Sequence, residues 1–269
     1  MAGKIRMALT PRLNHWWNVT LYVTPRGLTT SAIPWQSGSF DLTFDFIAHK
    51  LVVTTSWGEI RSMNLEPRTV ADFYRELMSI LAALGIHPKI SSLPSELDAP
   101  IRFEEDTTHK SYDAGAAHRF WLALVQVARV MEVFRARFIG KCSPVHFFWG
   151  SFDLAVTRFS GRVAPAHPEW AELEREAYSH ECSSVGFWPG GGKVREARFF
   201  AYAAPEPPGL ADAAPFYDRS ASMSLLSYDA VRAAADPDAV LLDFFQRTYE
   251  ATANLGGWDR ASLERSAVL

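Results

Sequence analysis

The residues best suited to chemistry lie within residues 143–162, which read SPVHFFWGSFDLAVTRFSGR. The segment has the apolar, aromatic composition of a β-strand, yet it also contains His146, Asp153 and Arg158. Titratable side chains in an apolar strand cost free energy unless they are paired or used. We therefore expect this segment to supply part of a site, with His146 as an acid or base and Arg158 as the cation that holds an anionic group.

Strand alternation decides which of these side chains can meet. In a continuous strand, His146 and Arg158 share one face, whereas Trp149 and Asp153 share the other. Both faces are largely apolar, which predicts a central strand covered on both sides. His146 and Asp153 then meet only if a bulge at Gly150 shifts the register. The alternative is that all three residues have structural roles. Arg158 then pairs with a carboxylate, Asp153 caps a neighbouring loop, and His146 is a hydrogen-bonded histidine of the core.

A second cluster, NHWWN at residues 14–18, lies at the start of a predicted strand. Sheets often place groups that face a ligand at the ends of strands. We therefore predict that His15, Trp16 and Asn18 line a pocket. The alternative is that Trp17 and the residues alternating with it form the core face, which leaves His15 as a partly buried end residue.

A third cluster, YSHE at residues 178–181, precedes an apolar strand. His180 and Glu181 point to opposite sides in an extended chain, so one can act as a base while the other anchors the loop. The zinc motif HExxH is absent, because residue 184 is Ser184. His15, His146 and His180 come from distant segments without ligand spacing, so no metal site is predicted and no cofactor is indicated.

The composition excludes several classes of protein. The 269 residues are 48% hydrophobic and 21% charged, with a net charge of −3 and no basic block, so a nucleic-acid partner is not expected. No apolar run reaches bilayer length, and the first residues lack a signal-peptide pattern, so a membrane partner is not expected either. Cys142 and Cys182 give no disulfide framework. We expect a cytoplasmic protein with reduced, buried thiols.

The elements that must position these residues follow from hydrophobic periodicity. Consecutive short apolar runs in the first third predict antiparallel strands. These runs are residues 5–9, 16–24, 28–35, 40–46 and 51–56. Later strands are predicted at residues 146–159, 182–188 and 198–203.

Helices are predicted where the apolar period changes from two to between three and four residues. One begins after Thr69, which can act as its N-cap, and ends at Gly85. A long helix spans residues 113–139, and a last helix opens at Asp236 and Pro237. The pattern therefore predicts an α+β fold and a single domain over residues 1–269. In that fold a mixed, mainly antiparallel sheet packs on the long central helix, and the C-terminal helix packs at its other side or end.

Several runs together resemble one bacterial family, known as domain of unknown function 5996. The matching runs include NHWWNVTLYVTPRGLTTS, SPVHFFWGSFDLAVTRFSGR and YSHECSSVGFWPGGG. The resemblance covers nearly the whole chain. It implies one domain-sized unit of soluble, bacterial type, and it implies no particular activity.

These observations favour an enzyme that acts on a small polar molecule, with a non-catalytic small-ligand-binding protein as the alternative. The catalytic candidates are His146, His180 and Glu181. The candidates for lining an aromatic-walled pocket are His15, Trp16, Asn18, Trp149, Asp153 and Arg158. The sequence indicates neither the substrate, nor the type of reaction, nor the oligomeric state.

Overall fold

Two antiparallel β-sheets with helices packed on them form the chain, which a computed structural model describes for residues 1–95, 97, 99–192 and 194–265. The α+β class predicted from the sequence is therefore confirmed, with two sheets in place of one. The chain divides into two compact units. The first unit is Met1–Leu13, Trp17–Val125 and Phe147–Ser151, and the second is Asn14–Trp16, Gln126–His146 and Phe152–Leu269.

The first unit contains a meandering antiparallel sheet and the helices α1 and α2. The strands are β1 (Tyr22–Thr24), β2 (Gly27–Thr29), β3 (Ile33–Trp35), β4 (Gly38–Asp45), β5 (Lys50–Thr55) and β6 (Ile60–Asn64). They pair in the order β1-β2-β4-β5-β6, and β3 also pairs with β4. The helices are α1 (Ala2–Leu9) and α2 (Val70–Ala83).

The core of this unit follows from the predicted alternation in β4 and periodicity in α2. Leu42 of β4 pairs with Val53 of β5, and both side chains are fully buried. Leu77 and Leu81, one helical turn apart on α2, are in the same buried cluster. Each such side chain contributes about 2 kcal/mol when it is buried. Thr69 caps α2 as predicted, because its side chain accepts a hydrogen bond from the Asp72 amide.

Near the N-terminus, the strand predicted over residues 5–9 was wrong, and the strand predicted over residues 16–24 begins later than predicted, at β1. Residues 5–9 belong to helix α1, because Ala2, Ile5 and Leu9 recur at helical spacing, and Ile5 is fully buried. Residues 16–19 belong to a 3₁₀ helix, Asn14–Val19, and the chain becomes extended only after it. His15 and Trp16 in this helix have left-handed backbone conformations, which no hydrophobic pattern reveals.

The second unit is built on a sheet with the strand order β11-β12-β10-β9-β8. The strands are β8 (Asp153–Val163), β9 (His180–Trp188), β10 (Arg198–Ala204), β11 (Tyr217–Asp218) and β12 (Met223–Ser227). The helices that follow α2 are α3 (Ala114–Ala136), α4 (Glu172–Ala177), α5 (Leu210–Ala213), α6 (Tyr228–Arg232), α7 (Pro237–Leu255) and α8 (Arg260–Leu263). Helix α3 is divided between the two units: its residues up to Val125 belong to the first unit, and those from Gln126 onward belong to the second.

The two faces of this second sheet differ in what packs against them. On one face, Phe199 of β10 meets Phe245 of α7, which in turn meets Phe134 of α3. The other face presents Phe159 of β8 and polar residues of β9 and β10, among them Ser184. This second face positions the candidate site.

The continuous strand predicted across residues 146–159 is two strands. β7 (His146–Phe148) is followed by a turn over residues 149–152, and β8 begins at Asp153. Phe152 in this turn has a φ of 61°, a left-handed conformation that a continuous strand does not accommodate. Alternation along a single strand therefore does not determine whether the His146 and Asp153 side chains lie on the same face.

The single strand predicted over residues 28–35 is two strands, β2 and β3, and the remaining predicted strands and helices lie close to their predicted positions. The strand predicted over residues 182–188 is β9, and the last helix, α7, begins with Pro237 at its first turn and Asp236 as its cap. No helix in the described part of the chain is both long enough and apolar enough to span a bilayer.

Candidate functional site

A strained backbone carries the central residue of the candidate site. His15 has φ and ψ of 58° and 20°, and Trp16 has 59° and 28°. Such conformations cost about 1–2 kcal/mol for residues that have a Cβ atom, and they persist where surrounding contacts hold them. His15 is only 5% exposed. Its strained backbone directs the imidazole into a cluster with Lys141, Phe159 and His180, which we call the histidine–lysine cluster.

Two backbone carbonyls fix the tautomer of His15. Its Nδ1 atom lies 3.1 Å from the Glu176 oxygen and 3.0 Å from the Ala177 oxygen. Carbonyl oxygens only accept hydrogen bonds, so Nδ1 must be the donor and must carry the proton. The neutral ring then has a lone pair on Nε2, and Lys141 Nζ lies 2.6 Å from that atom. The ammonium group of Lys141 therefore donates to a neutral imidazole.

Electrostatics keep this pair from carrying two charges. Burial lowers the pKa of His15, and the nearby charge of Lys141 lowers it further. Partial desolvation by its neighbours also lowers the pKa of the Lys141 amine, although the residue stays exposed. Phe159 lies beneath both groups, with its ring centroid 4.5 Å from that of His15 and 4.8 Å from Lys141 Nζ. Two charges only 2.6 Å apart on an aromatic surface would repel strongly, so the pair holds one charge, on the lysine.

His180 completes the cluster. Its ring stands edge-on to the His15 ring, with the centroids 5.8 Å apart. Ser179 Oγ donates its single hydrogen to the Glu176 carbonyl and lies 3.1 Å from His180 Nδ1. His180 Nδ1 is therefore the donor to Ser179, which leaves the lone pair of the neutral ring on Nε2. The cluster thus combines a cation with a second imidazole whose Nε2 can accept a proton.

A row of hydroxyl groups follows the same face of the sheet. Thr157 Oγ1 lies 3.0 Å from Ser184 Oγ, and Tyr178 Oη lies 3.2 Å from Tyr202 Oη. Ser184 is also hydrogen-bonded to Tyr202. Burial raises the pKa of both tyrosines, that of Tyr202 well above its usual value. The row is therefore neutral and bonded end to end.

Glu181 lies on the opposite side of β9 from His180, as an extended chain requires. Its Oε2 atom accepts hydrogen bonds from Arg162 Nε at 2.8 Å and from Ser160 Oγ at 2.9 Å. Arg162 also donates to the carbonyls of Gly256 and Gly257, at the end of α7. Glu181 thus holds an arginine against a helix end, and its predicted catalytic role stays a prediction.

Arg158 is fully buried in an aromatic cage. Its Cζ atom lies 3.5 Å from the ring centroid of Phe134, 5.0 Å from that of Phe138 and 4.3 Å from that of Tyr249. Its Nη2 donates to the Phe134 carbonyl, and burial lowers its pKa to about 10. Nε and Nη1 are buried and have no hydrogen-bond partner among the described residues. The role of anion holder stays a prediction for Arg158, and Lys141 is the better placed cation.

The remaining predicted site residues lie in different surroundings. His146 and Asp153 are buried, 1% and 8% exposed, at the first positions of β7 and β8. Trp16 is half-buried in the second unit, directly after His15.

Two further candidates, Asn18 and Trp149, belong to the first unit and contact residues within it. Trp149 Nε1 donates to the Val19 carbonyl at 2.8 Å. Its indole packs so closely on α1 that a Cβ atom at Gly3 would lie 2.0 Å from it. Asn18 is buried and its amide lies 3.4 Å from Thr10 Oγ1. Their predicted roles in a pocket stay predictions.

Sequence reasoning missed Lys141 as a site residue. A lysine after a helix is usually a solvated residue that complements the carbonyls of the helix end, so its residue type gave no signal. Its role depends on contact with His15, which precedes it by 126 positions. Among the described residues, no group of three or more His, Cys, Asp or Glu side chains is arranged to hold a metal ion.

The fold is α+β, with two antiparallel sheets. The sheet of the second unit has helices on one face and the polar, aromatic histidine–lysine cluster on the other. The chain belongs to the Family of unknown function (DUF5996), which matches residues 1–265. No curated protein and no solved structure matches it.

Proposed function

We propose that the protein is an enzyme that moves a proton on a small anionic molecule at the histidine–lysine cluster. The observation that carries the proposal is the 2.6 Å contact between Lys141 Nζ and His15 Nε2. The carbonyls of residues 176 and 177 fix the tautomer of His15, and burial together with the charge of Lys141 favours its neutral form. A neutral imidazole orients the ammonium group without cancelling its charge. Lys141 is exposed, so a molecule from solvent can reach it.

His180 is the proposed base. Its Nδ1 is engaged with Ser179, so Nε2 is the atom that accepts a proton. Both Lys141 and His180 contact the His15 ring, so one small molecule can reach both of them. This pairing of a cation with a nearby base suits removal of a proton next to a carbonyl group.

The proposed step balances without a further reactant. The C–H bond next to the carbonyl breaks, and its proton goes to His180 Nε2. The electron pair forms a carbon–carbon double bond and places negative charge on the carbonyl oxygen, which the Lys141 ammonium stabilises. His180 then returns a proton to the carbon or to the oxygen of this enolate, which completes the reaction.

Hydrogen–deuterium exchange tests this function. Pyruvate has acidic hydrogens next to its carbonyl, and we expect the purified protein in D2O to speed their exchange, followed by NMR. Lys141→Met and His180→Gln should each slow the exchange by about a hundredfold, the usual size of a lost acid–base or electrostatic contribution. Lys89→Met and His87→Gln, which change exposed residues of the first unit, are the matched controls.

The alternative, a non-catalytic ligand-binding protein, gives a different result. Pyruvate or another small carboxylate would then bind with a dependence on Lys141, while exchange would stay at the rate in buffer. Exchange that is equally fast in Lys141→Met would contradict the proposal. We also propose a cytoplasmic setting, which the free thiols of Cys142 and Cys182 support. The bacterial origin that we propose rests on the resemblance of the sequence to a bacterial family.

A further inference from the structure

A second feature lies next to the histidine–lysine cluster, in a cavity of about 470 Å³. Its walls include Pro165, Pro168, Trp170 and Tyr178, and we call it the proline–tryptophan cavity. The volume is within the range of about 300–1,000 Å³ that is usual for small-molecule sites. Proline and aromatic walls with few polar atoms suit an apolar group better than a charged one.

Aromatic rings give this cavity a defined shape. The Trp170 ring is stacked on His167, with centroids 4.0 Å apart and planes 11° apart. Tyr178 stands edge-on to Trp170, with centroids 5.9 Å apart. Arg175 Nη1 donates to the carbonyls of Pro168 and Trp170, at 3.2 and 3.0 Å, and so fixes the loop that carries the indole. Flat walls at these angles match a planar ring.

The cavity and the histidine–lysine cluster share one stretch of chain. Tyr178 and Ser179 line the cavity, and Ser179 Oγ lies 3.1 Å from His180 Nδ1. Ala177 directly precedes Tyr178, and its carbonyl accepts a hydrogen bond from His15 Nδ1. Because consecutive Cα atoms are only about 3.8 Å apart, the part of the cavity wall formed by Tyr178 and Ser179 lies beside His180 of the cluster.

We propose that the proline–tryptophan cavity binds a planar, aromatic group of the substrate, while Lys141 binds its carboxylate together with the adjacent carbonyl oxygen. The substrate class is then a small aromatic acid, and the assignment of its carboxylate rests on the proposed function. The ring contact with Trp170 sets specificity, and the His180 side of the segment performs the proton transfer.

Calorimetric binding of three probes tests this inference on the full chain. Phenylpyruvate carries both ring and carboxylate, pyruvate only the acid, and benzyl alcohol only the ring. We expect phenylpyruvate to bind at least tenfold more tightly than pyruvate. Trp170→Leu should reduce that ratio to below twofold and abolish benzyl alcohol binding, with pyruvate affinity unchanged. Trp57→Leu, at an exposed tryptophan of the first unit, is the control.

A second variant tests the same cavity without replacing Trp170, so a folding defect of Trp170→Leu cannot account for both results. Ala166 is exposed and lines the cavity, so Ala166→Trp should fill it and cause the same loss while Trp170 remains in place. Lys141→Met should weaken phenylpyruvate and pyruvate by the same factor and leave benzyl alcohol unaffected.

The outcomes separate the two proposals. Lysine-dependent pyruvate binding without any preference for the ring, or a preference that survives both cavity variants, overturns the inference and leaves the proposed function standing. Binding of benzyl alcohol that depends on Trp170, with no binding or exchange of pyruvate, supports the cavity and overturns the proposed function.

Discussion

At the scale of single residues, two cations of the second unit, the exposed Lys141 and the buried Arg158, lie in contrasting surroundings. Lys141 shares its proton with a neutral imidazole at the surface of the second unit, whereas Arg158 is enclosed by three aromatic rings. Sequence reasoning identified Arg158, because an arginine in an apolar strand is conspicuous. It could not identify Lys141, because the partner of that lysine is distant in sequence and has an unusual backbone conformation.

The depressed pKa of His15 makes stability depend on pH. A histidine whose pKa is lowered by folding binds a proton more readily in the unfolded chain. Its stabilising effect is therefore complete above about pH 6.5 and is lost as the pH falls below that value. We predict that the free energy of unfolding in urea falls by up to about 1.4 kcal/mol per pH unit between pH 6.5 and 5.

His15→Gln should remove this dependence, since an amide does not titrate. His167→Gln, at a more exposed histidine, should keep it. A wild-type stability that is flat between pH 6.5 and 5 would show that burial does not depress this pKa.

The surroundings of Arg158 predict that the volume of its side chain matters more for stability than its charge. Lowering its pKa from 12.5 to about 10 corresponds to roughly 3 kcal/mol of unfavourable burial. This cost offsets much of what its hydrogen bond and ring contacts contribute. We predict that Arg158→Met costs about 1 kcal/mol or less, whereas Arg158→Ala costs about 3–5 kcal/mol because it leaves a cavity. Chemical unfolding of both variants measures the difference, and equal losses would mean that the charge itself is required.

At the scale of elements, helices α2 and α7 could be predicted from the sequence because their caps and apolar stripes are local. Thr69 and Asp236 cap them as their residue types indicate. The strand pair β4–β5 could be predicted for the same reason, since alternation is a local pattern. The 3₁₀ helix around His15 could not, because its left-handed residues are held by carbonyls 161 and 162 positions later in the chain.

The cap of α7 is worth testing because this helix carries Phe245 and Tyr249, which pack on the sheet and on Arg158. Asp236 Oδ1 accepts a hydrogen bond from the Ala239 amide at 3.0 Å. We predict that Asp236→Ala lowers the free energy of unfolding by about 1 kcal/mol. Asp243→Ala, in the exposed middle of the same helix, should change it by less than about 0.5 kcal/mol. A larger loss for Asp243→Ala than for Asp236→Ala would contradict this account of the helix end.

At the scale of the whole molecule, the two units are interleaved in sequence. The chain passes from one unit to the other after residues 13, 16, 125, 146 and 151, and the crossing at 125 falls inside helix α3. Each unit is therefore completed by segments from several parts of the chain. The single domain expected from the sequence stays a prediction, and interleaving gives it a physical basis.

Calorimetry provides the test of that prediction. We expect one cooperative thermal transition, which Leu81→Ala in the first unit and Phe245→Ala in the second should both shift downward. Each substitution removes a fully buried side chain and should cost about 2–5 kcal/mol. Two transitions, each of which responds to only one variant, would show that the units unfold independently.

The central claim of this account is that His15 is neutral, protonated on Nδ1, and accepts a hydrogen bond from Lys141. Long-range proton–nitrogen NMR spectra of the protein labelled at histidine measure the tautomer and the pKa of that ring directly. The account predicts the Nδ1-protonated form at pH 7, with a pKa below 6.5 that rises when Lys141 is replaced by methionine. A ring protonated on Nε2, or a pKa that Lys141→Met leaves unchanged, would contradict it.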